Sequence, residues 1–454
     1  MKSNNINITG YGACGYVGKA AYIIHDNDRQ ILLDAGLKIK SGELTEAPKG
    51  IDKHVPFLDG VIVSHAHTDH STYTPSLIKH GFQGSIHMTP PTQDIAQVLW
   101  ADHMKIEGER HWSEEDFLRA FSQIETHKYH EKFKIADGIT AEFYNAGHIL
   151  GSAITVIDWD GTRILYTGDF NDRVTAIFDG FEIPEEEVGI VITESTNGVR
   201  DIPKREIVNK QLMDKTRETL SRGGKMLIPT FSIGRSQELL FEIAREKALD
   251  KVPVYIDGMI RSMNAITNRY LRPDFVAPKV LDLVKDLGGK SPLKKDNFHE
   301  VTRENFGNTG EFRRRVSRSD ETSIIVSTAG MLDAGPIHTY LDGTAHQRKN
   351  TLAFVGYQVE GTQGRQILDG SRKMVINKLM RRPKTINLDL EIMRFHFSGH
   401  TSKEGIKSLM ELTNPKEVVL VHGDLENQKN LVNYLSNGRN YTILDEKKQF
   451  TYNI

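Results

Sequence analysis

The chain has 454 residues, 38% of them hydrophobic and 26% charged. That is enough apolar material for real cores, and more length than the roughly 100–200 residues of one domain, so two or three domains are expected. A formal net charge of −2 excludes a global basic field, so any polyanion has to be held by a local basic cleft or by bound metal. Cys14 is the only cysteine, which excludes internal disulfides and a cysteine-based zinc site. The start Met1-Lys2-Ser3-Asn4-Asn5 has no apolar signal core, and no run approaches the roughly 18 apolar residues of a membrane span. The expectation is a soluble, cytoplasmic protein without a membrane partner.

In chain order, Gly10-Tyr11-Gly12-Ala13-Cys14-Gly15 comes first. It matches the dinucleotide fingerprint, with Asp34 placed where a ribose-binding acid would stand. The fingerprint needs a helix after it, and the residues from Val17 to Ile24 read as a strand, so a glycine-rich turn is the better reading. Ala21 to Ile24 and Gln30 to Leu33 flank Asp26-Asn27-Asp28, which predicts a hairpin. Helical spacing covers Thr92 to Met104 and Glu114 to Ser122. Strand patterns follow at Thr140 to Tyr144, Ser152 to Asp158, Arg163 to Tyr166 and Gly189 to Thr193, with Asp160-Gly161 as a hairpin signal.

From about Asp201, helical stretches (Lys204 to Arg222, Ser236 to Ala248, Arg261 to Leu271) alternate with β-type runs (Lys225 to Ile228, Val252 to Ile256, Ser323 to Ser327). This alternation predicts a parallel α/β unit. Ser291 to Arg318 is polar and reads as exposed or mobile. Strands return at Leu352 to Val355, Thr385 to Leu390 and Glu417 to Val421, with helices at Lys403 to Leu412 and Glu426 to Leu435.

The chemistry concentrates in His65-Ala66-His67-Thr68-Asp69-His70, directly after the apolar run Val61-Ile62-Val63. A strand ending in this loop puts three imidazoles and a carboxylate into one small volume. Neutral imidazoles suit zinc, and the Asp can serve a second metal. A purification-tag-like tract is set aside, because such tracts are homopolymeric and terminal. Further metal-type residues end apolar strands: His148, Asp169, Glu194 and His422. Asp34 ends another, and suits a carboxylate that orients a metal-bound histidine. Between His396 and His400, spacing alone does not choose. The remaining histidines, among them His103, His111, His127 and His130, read as surface or packing residues. Arg313-Arg314-Arg315 and Arg381-Arg382 are local basic runs of the kind that usually forms a solvated face.

Together these residues resemble the metallo-β-lactamase superfamily, in particular its β-CASP nucleases. The likeness rests on Leu33-Asp34-Ala35-Gly36, the His65–His70 cluster, Gly147-His148, Thr167-Gly168-Asp169, Glu194-Ser195-Thr196, Phe397-Ser398-Gly399-His400 and Val421-His422-Gly423. Between them, Pro229 to Glu238, Ala329-Gly330-Met331-Leu332 and Gly356 to Thr362 resemble further family landmarks, so the likeness spans nearly the whole chain. In outline it is similar to archaeal homologues of the endonuclease subunit of the cleavage and polyadenylation complex, and more distantly to RNase J. Many archaeal members carry N-terminal KH domains, and a form without them is expected here.

The resemblance implies an αββα sandwich, residues 1–199 and 352–454, interrupted by a β-CASP α/β insert, residues 200–351, with the active site in the cleft between domains. It implies two zinc ions: one on His65, His67 and His148, the other on Asp69, His70 and His422, with Asp169 bridging and Asp34 behind the ligands. Asp69, Glu194 and His400 would be catalytic, His400 donating a proton to the leaving oxygen while Glu194 orients it. His422 stands where RNA-acting relatives have histidine and DNA-repair relatives an apolar residue, which points to RNA.

Thr196-Asn197 departs from the commoner Thr-Tyr. Arg235, opening a helix, suits a phosphate, and Ser398, Gly399 and Thr401 are candidate donors to a terminal phosphate. The expected function is a zinc-dependent ribonuclease of RNA processing or decay. The alternatives weighed are an inactive RNA-binding scaffold subunit, a β-CASP DNA nuclease and a small-molecule hydrolase. Endonuclease and 5′-to-3′ exonuclease are not separated by sequence. A homodimer and RNA-processing complex subunits are expected partners at family level only.

Overall fold

A computed structural model describes residues 5–39, 44–184, 186–376, 383–436 and 438–453. It divides into two units. The first comprises Met1–Arg173, Asp179–Asp201 and His400–Ile454, and the second comprises Val174–Phe178 and Ile202–Gly399.

The first unit is built on two seven-stranded sheets. In one the order is Gln449–Tyr452, Ile6–Gly12, Ala21–His25, Gln30–Leu33, Gly60–Ile62, Ser85–Met88, Ile124–Thr126. In the other it is Asn440–Ile443, Glu417–Val421, Ile190–Glu194, Thr162–Tyr166, Ala153–Trp159, Ile139–Asn145, Lys132–Ala136. Ile6, Ile8, Tyr22, Ile24, Leu33 and Ile62 of the first sheet share one core with Phe143, Ile157, Trp159, Ile164, Ile190, Ile192 and Val419 of the second. The alternate residues of the second sheet, including Ile154, Leu165, Val191, Val418 and Leu420, pack on Ile406, Leu409 and Met410 of helix Lys403–Thr413 and on Leu431 and Leu435 of helix Leu425–Leu435.

Strands buried on both faces read as continuous apolar runs, which is why Ile190-Val191-Ile192 carries no alternation. Helix Pro90–Glu107, with Ile95, Ala96 and Trp100 buried, packs against the edge strand Ile124–Thr126 of the first sheet. The result is an αββα sandwich.

The predicted hairpins are present. Ala21–His25 pairs antiparallel with Gln30–Leu33. Ala153–Trp159 pairs with Thr162–Tyr166 across Asp160-Gly161, both at positive φ (50° and 87°), as a two-residue type I′ turn demands. The glycine-rich segment runs from strand Ile6–Gly12 into strand Ala21–His25, with no helix following it. The dinucleotide reading therefore has no structural footing.

The second unit carries a six-stranded sheet in the order Phe298–Glu300, Val254–Asp257, Ser323–Ser327, Lys225–Pro229, Thr351–Phe354, Glu391–Arg394, parallel throughout. Thr351–Phe354 and Glu391–Arg394 thus complete this sheet, and the chain rejoins the first unit at His400. The resemblance implies a return near residue 352; apolar runs reveal strands but not the sheet they join.

Ser291 to Arg318 also differs from its exposed, mobile reading. It contains strand Phe298–Glu300 and helices Arg303–Phe306 and Thr309–Arg318, with Phe312 and Val316 buried and Phe306 stacked on Phe312 at 3.8 Å. One of its charges is paired over a long sequence separation: Arg313 donates to both carboxylate oxygens of Asp257 at 2.7 and 2.9 Å, and Tyr340 donates to Oδ2 at 2.9 Å. Asp257 is fully buried. Asp257→Ala is therefore expected to lower the stability of this unit by about 3 kcal/mol, the lower end for breaking a buried ion pair. The denaturant midpoint of the second unit checks this, and an unshifted midpoint would refute it. Arg381-Arg382 lies outside the described residues. Among the described residues, no helix is long and apolar enough to cross a membrane.

Candidate metal and catalytic centre

The strand Gly60–Ile62 ends in Val63-Ser64, and the histidine loop follows directly. The turn Asp34-Ala35-Gly36 shapes that loop. Ala35 N–H donates to His70 O at 2.8 Å and Ala20 N–H to Asp69 O at 2.8 Å. Gly36 lies so close that a Cβ there would stand 1.7 Å from Asp69 O, so only glycine lets the two backbones meet. Asp34 itself is at φ 58°, a left-handed conformation that an aspartate holds only when its surroundings fix it.

They do so through the side chain. Asp34 Oδ1 accepts from Ser64 N at 2.7 Å; Oδ2 accepts from Ser64 Oγ at 2.8 Å and Tyr166 Oη at 2.6 Å, and pairs with His70 Nδ1 at 2.7 Å. That last contact fixes the His70 tautomer and turns Nε2 toward the cluster. Asp34→Ala is expected to weaken metal binding about 10–100-fold, the usual cost of removing a carboxylate behind a metal-type histidine. Competition with a zinc-chelating dye measures it; unchanged affinity would remove Asp34 from this role.

Two donor clusters form within the first unit. His65 Nε2 and His148 Nε2 lie 3.0 and 3.1 Å from His67 Nδ1, and Asp169 Oδ2 stands 3.7 and 3.8 Å from His65 Nε2 and His148 Nε2. His70 Nε2 lies 3.3 Å from His422 Nε2, which is 3.4 Å from Asp69 Oδ2. Asp169 reaches this group as well: Oδ2 is 3.4 Å from His70 Nε2, and Oδ1 is 3.2 Å from His422 Nδ1. These spacings are close to the edge of roughly 3.3 Å of a tetrahedron with bonds of about 2.0–2.1 Å. Asp169 Oδ1 is buried and makes no hydrogen bond among the described residues. Nitrogen and carboxylate donors converging with a buried oxygen left over fit divalent cations, with Asp169 common to both sets.

Electrostatics separate these donors. Burial holds His65 well below its ordinary pKa and brings His67 down to about 4, so both rings are neutral, the ligating form. Burial opposes charge on His70 too, but Asp169, Asp69 and Asp34 outweigh it and raise the ring well above its ordinary value. Asp169 is disfavoured by burial as an anion, yet His422, His70 and His400 hold it well below the carboxylate range.

Beside this centre stands a second pair. Strand Ile190–Glu194 ends in the buried Glu194, whose Oε1 accepts from Phe170 N at 3.0 Å. His400 Nδ1 lies 2.9 Å from Glu194 Oε2 and 3.1 Å from Oε1. Burial disfavours the charged ring of His400, but Glu194 and then Asp169 prevail and bring it up to about 9. His396, its rival by spacing, is exposed and belongs to the second unit.

Two features escaped the sequence reading. The Asn197 amide donates to the carbonyls of Thr401 at 2.9 Å and His400 at 3.2 Å, so the residue that departs from the commoner tyrosine pins the backbone carrying His400. The glycine-rich turn also has a use: Ala13 O accepts from His422 N at 2.7 Å, holding His422 at φ 46°. The expected RNA contacts are engaged within the protein. Arg235 is buried and pairs with Glu238, the Ser398 carbonyl accepts from Arg205, and Thr401 Oγ1 donates to Asp172 at 3.1 Å. Gly399 is buried in the second unit.

An αββα sandwich whose strand ends deliver two sets of imidazole and carboxylate donors defines a metallo-hydrolase, and the chain belongs to the β-CASP branch of the metallo-β-lactamase superfamily. Residues 2–197 match a metallo-beta-lactamase superfamily domain, 236–367 a Beta-Casp domain, and 385–444 a Zn-dependent metallo-hydrolase RNA specificity domain. The chain is 33% identical to the RNase J-like protein of Methanocaldococcus jannaschii over 422 residues, covering 91% of each. It is also 33% identical over 436 residues to transcription termination factor FttA of the same organism, covering 92% of this chain and 67% of that protein. In fold it is similar to a crystal structure of a protein of unknown function from Enterococcus faecalis V583, with a TM-score of 0.59 at 15% identity, covering 99% of this chain and 100% of that one.

Proposed function

We propose that this protein is a two-zinc ribonuclease that hydrolyses RNA phosphodiester bonds in processing or decay. The observation that carries this reading is the pairing of two donor clusters sharing Asp169 with the adjacent Glu194–His400 pair. His65, His67 and His148 would hold one cation and Asp69, His70 and His422 the other. Bound together, two such cations supply an activated water and neutralise charge on the phosphoryl oxygens.

The protein's own groups do the rest. Asp69, whose side chain is 28% exposed against 2–3% for His422 and Asp169, is the ligand best placed to orient the attacking water. His400 faces Glu194 through Nδ1, so Nε2 is the atom that delivers a proton to the leaving oxygen. Glu194 favours the protonated ring and fixes its plane. The RNA specificity match at 385–444 and His422 support RNA over DNA. Complete donor sets speak against an inactive scaffold. Arg235, Ser398, Gly399 and Thr401 remain part of this proposal as RNA contacts, reached after exchange of their present partners.

One RNA oligomer, labelled in turn at its 5′ end and internally and carrying either a 5′ monophosphate or triphosphate, tests the reading. Mononucleotides released only from the monophosphate form would establish a 5′-to-3′ exonuclease, and the match over most of the RNase J-like protein's length makes this arm worth including. Internal fragments indifferent to the 5′ end would establish an endonuclease. Intact RNA in both forms, with zinc bound, would sink the proposal.

A further inference from the structure

Apart from the centre described above, His103, Glu107 and His111 bring three ligand atoms within 4.8 Å of one another. Local structure explains the meeting. His103 and Glu107 are four residues apart on helix Pro90–Glu107 and so share a face. Gly108 then turns the chain at φ 65°, a conformation open to glycine, and brings His111 back to that face. His103 Nε2 lies 3.9 Å and His111 Nε2 3.7 Å from Glu107 Oε2.

All three side chains are at least nine-tenths buried, with 10%, 6% and 10% exposure. Thr45 orients the carboxylate, donating from N to Oε1 at 2.8 Å and from Oγ1 to Oε2 at 2.9 Å, and its hydroxyl is 3.0 Å from His111 Nε2.

His103 Nε2 distinguishes this trio. It is buried, aimed at the carboxylate, and has no hydrogen-bond partner among the described residues. An orphaned buried imidazole nitrogen is unfavourable unless something satisfies it, and a divalent cation does so while also taking Glu107 and His111. In a second trio, His87, Glu125 and His127, the orphaned atom is His87 Nε2, but the nitrogen that faces the carboxylate is Nδ1, 4.0 Å from Glu125, and it is already bonded to His127 Nε2 at 3.0 Å.

We propose that His103, Glu107 and His111 form a separate binding site for one zinc-type divalent cation. Two imidazoles and one carboxylate are a borderline donor set that selects zinc over calcium or magnesium. The donors stand a few tenths of an ångström wider than a tetrahedral edge of about 3.3 Å, so the ion draws them together. Arg110, whose side chain is 39% exposed, touches Glu107 Oε2 at 3.2 Å and swings aside as the ion enters. His111 also lines a surface recess with Thr45, Pro48, Asp52 and Tyr73, which gives the ion a route in. Once bound, the ion ties the helix end, the turn after it and, through Thr45, the segment following residue 44 into one body.

Crystals of the wild-type protein loaded with Zn²⁺ alone test this by anomalous scattering at the zinc edge, alongside metal content per chain after dialysis. The expected result is a peak ligated by His103 Nε2, Glu107 and His111 Nε2, and a loss of one zinc equivalent in His103→Gln and in His111→Gln. Peaks confined to the His65–His422 clusters, with equal zinc in all three proteins, would overturn the proposal. The wild-type map decides even where a variant fails to fold. A peak here with none at the larger centre would instead count against the two-zinc ribonuclease reading and leave this site standing.

Discussion

Asp169→Ala is expected to lower RNA cleavage by about 10³-fold or more. Asp169 Oδ2 stands within 4 Å of His65, His148 and His70, and Oδ1 within the same distance of His422, so this carboxylate is shared by both donor sets. A bound cation stabilises the transition state by several kcal/mol, and each ~1.4 kcal/mol is a factor of ten in rate. Losing the shared carboxylate also leaves the buried, positively biased His70 without one of its counter-charges, so zinc content is expected to fall together with activity. Initial rates on labelled RNA and zinc per chain after dialysis give the two readouts. Cleavage within tenfold of wild type, or full zinc retention, would remove Asp169 from the centre of the mechanism.

His400→Ala separates proton transfer from metal binding. A positioned general acid contributes typically about 10²–10⁴ in rate. The variant is therefore expected to lose kcat by that factor while KM and zinc content stay near wild type, because the nearest partner of His400 Nδ1 is Glu194 at 2.9 Å, with Asp169 farther away at 3.7 Å. Glu194→Gln keeps the hydrogen-bonding shape but not the charge that favours the protonated ring, so it should show a smaller kcat loss in the same direction. Exogenous imidazole restoring part of the His400→Ala rate would support the assignment. An unchanged kcat in His400→Ala would refute it, and a parallel fall in zinc would reassign the residue to metal binding.

How much of this was legible depends on whether a property is local. Asp169, Glu194 and His422 stand at the ends of strands whose apolar runs are conspicuous because the strand ends are buried on both faces, whereas His148 follows Ile139–Asn145, whose residues alternate in burial. The hairpins were legible because turn chemistry is local. Which sheet a strand joins is set by pairing at long sequence separation, so the apolar run of Thr351–Phe354 did not reveal its pairing with Lys225–Pro229. Helix Thr309–Arg318 was hidden because only Phe312, Val316 and Ser317 are buried amid charge, and its arginine pays its desolvation through Asp257, 56 residues away. The same holds for His103 and His111: each looked like a packing histidine until a glycine turn and Thr45 brought them around one carboxylate. Asn197 read as a departure from a pattern, and only the fold shows what its amide holds.

The bond from His422 N to Ala13 O joins an early segment of this chain to a candidate metal donor more than 400 residues later. During synthesis, Asp34 and the His65–His70 loop emerge early, but His400 and His422 come last of the assigned set. On the proposed function, a nascent chain would lack both the proton donor and the full second donor set until its last residues emerge. A chain cut after residue 399 should likewise lack cleavage activity, whereas cleavage by such a fragment would show that the late residues are dispensable. Completeness of the site is thus tied to completion of the chain as far as residue 422.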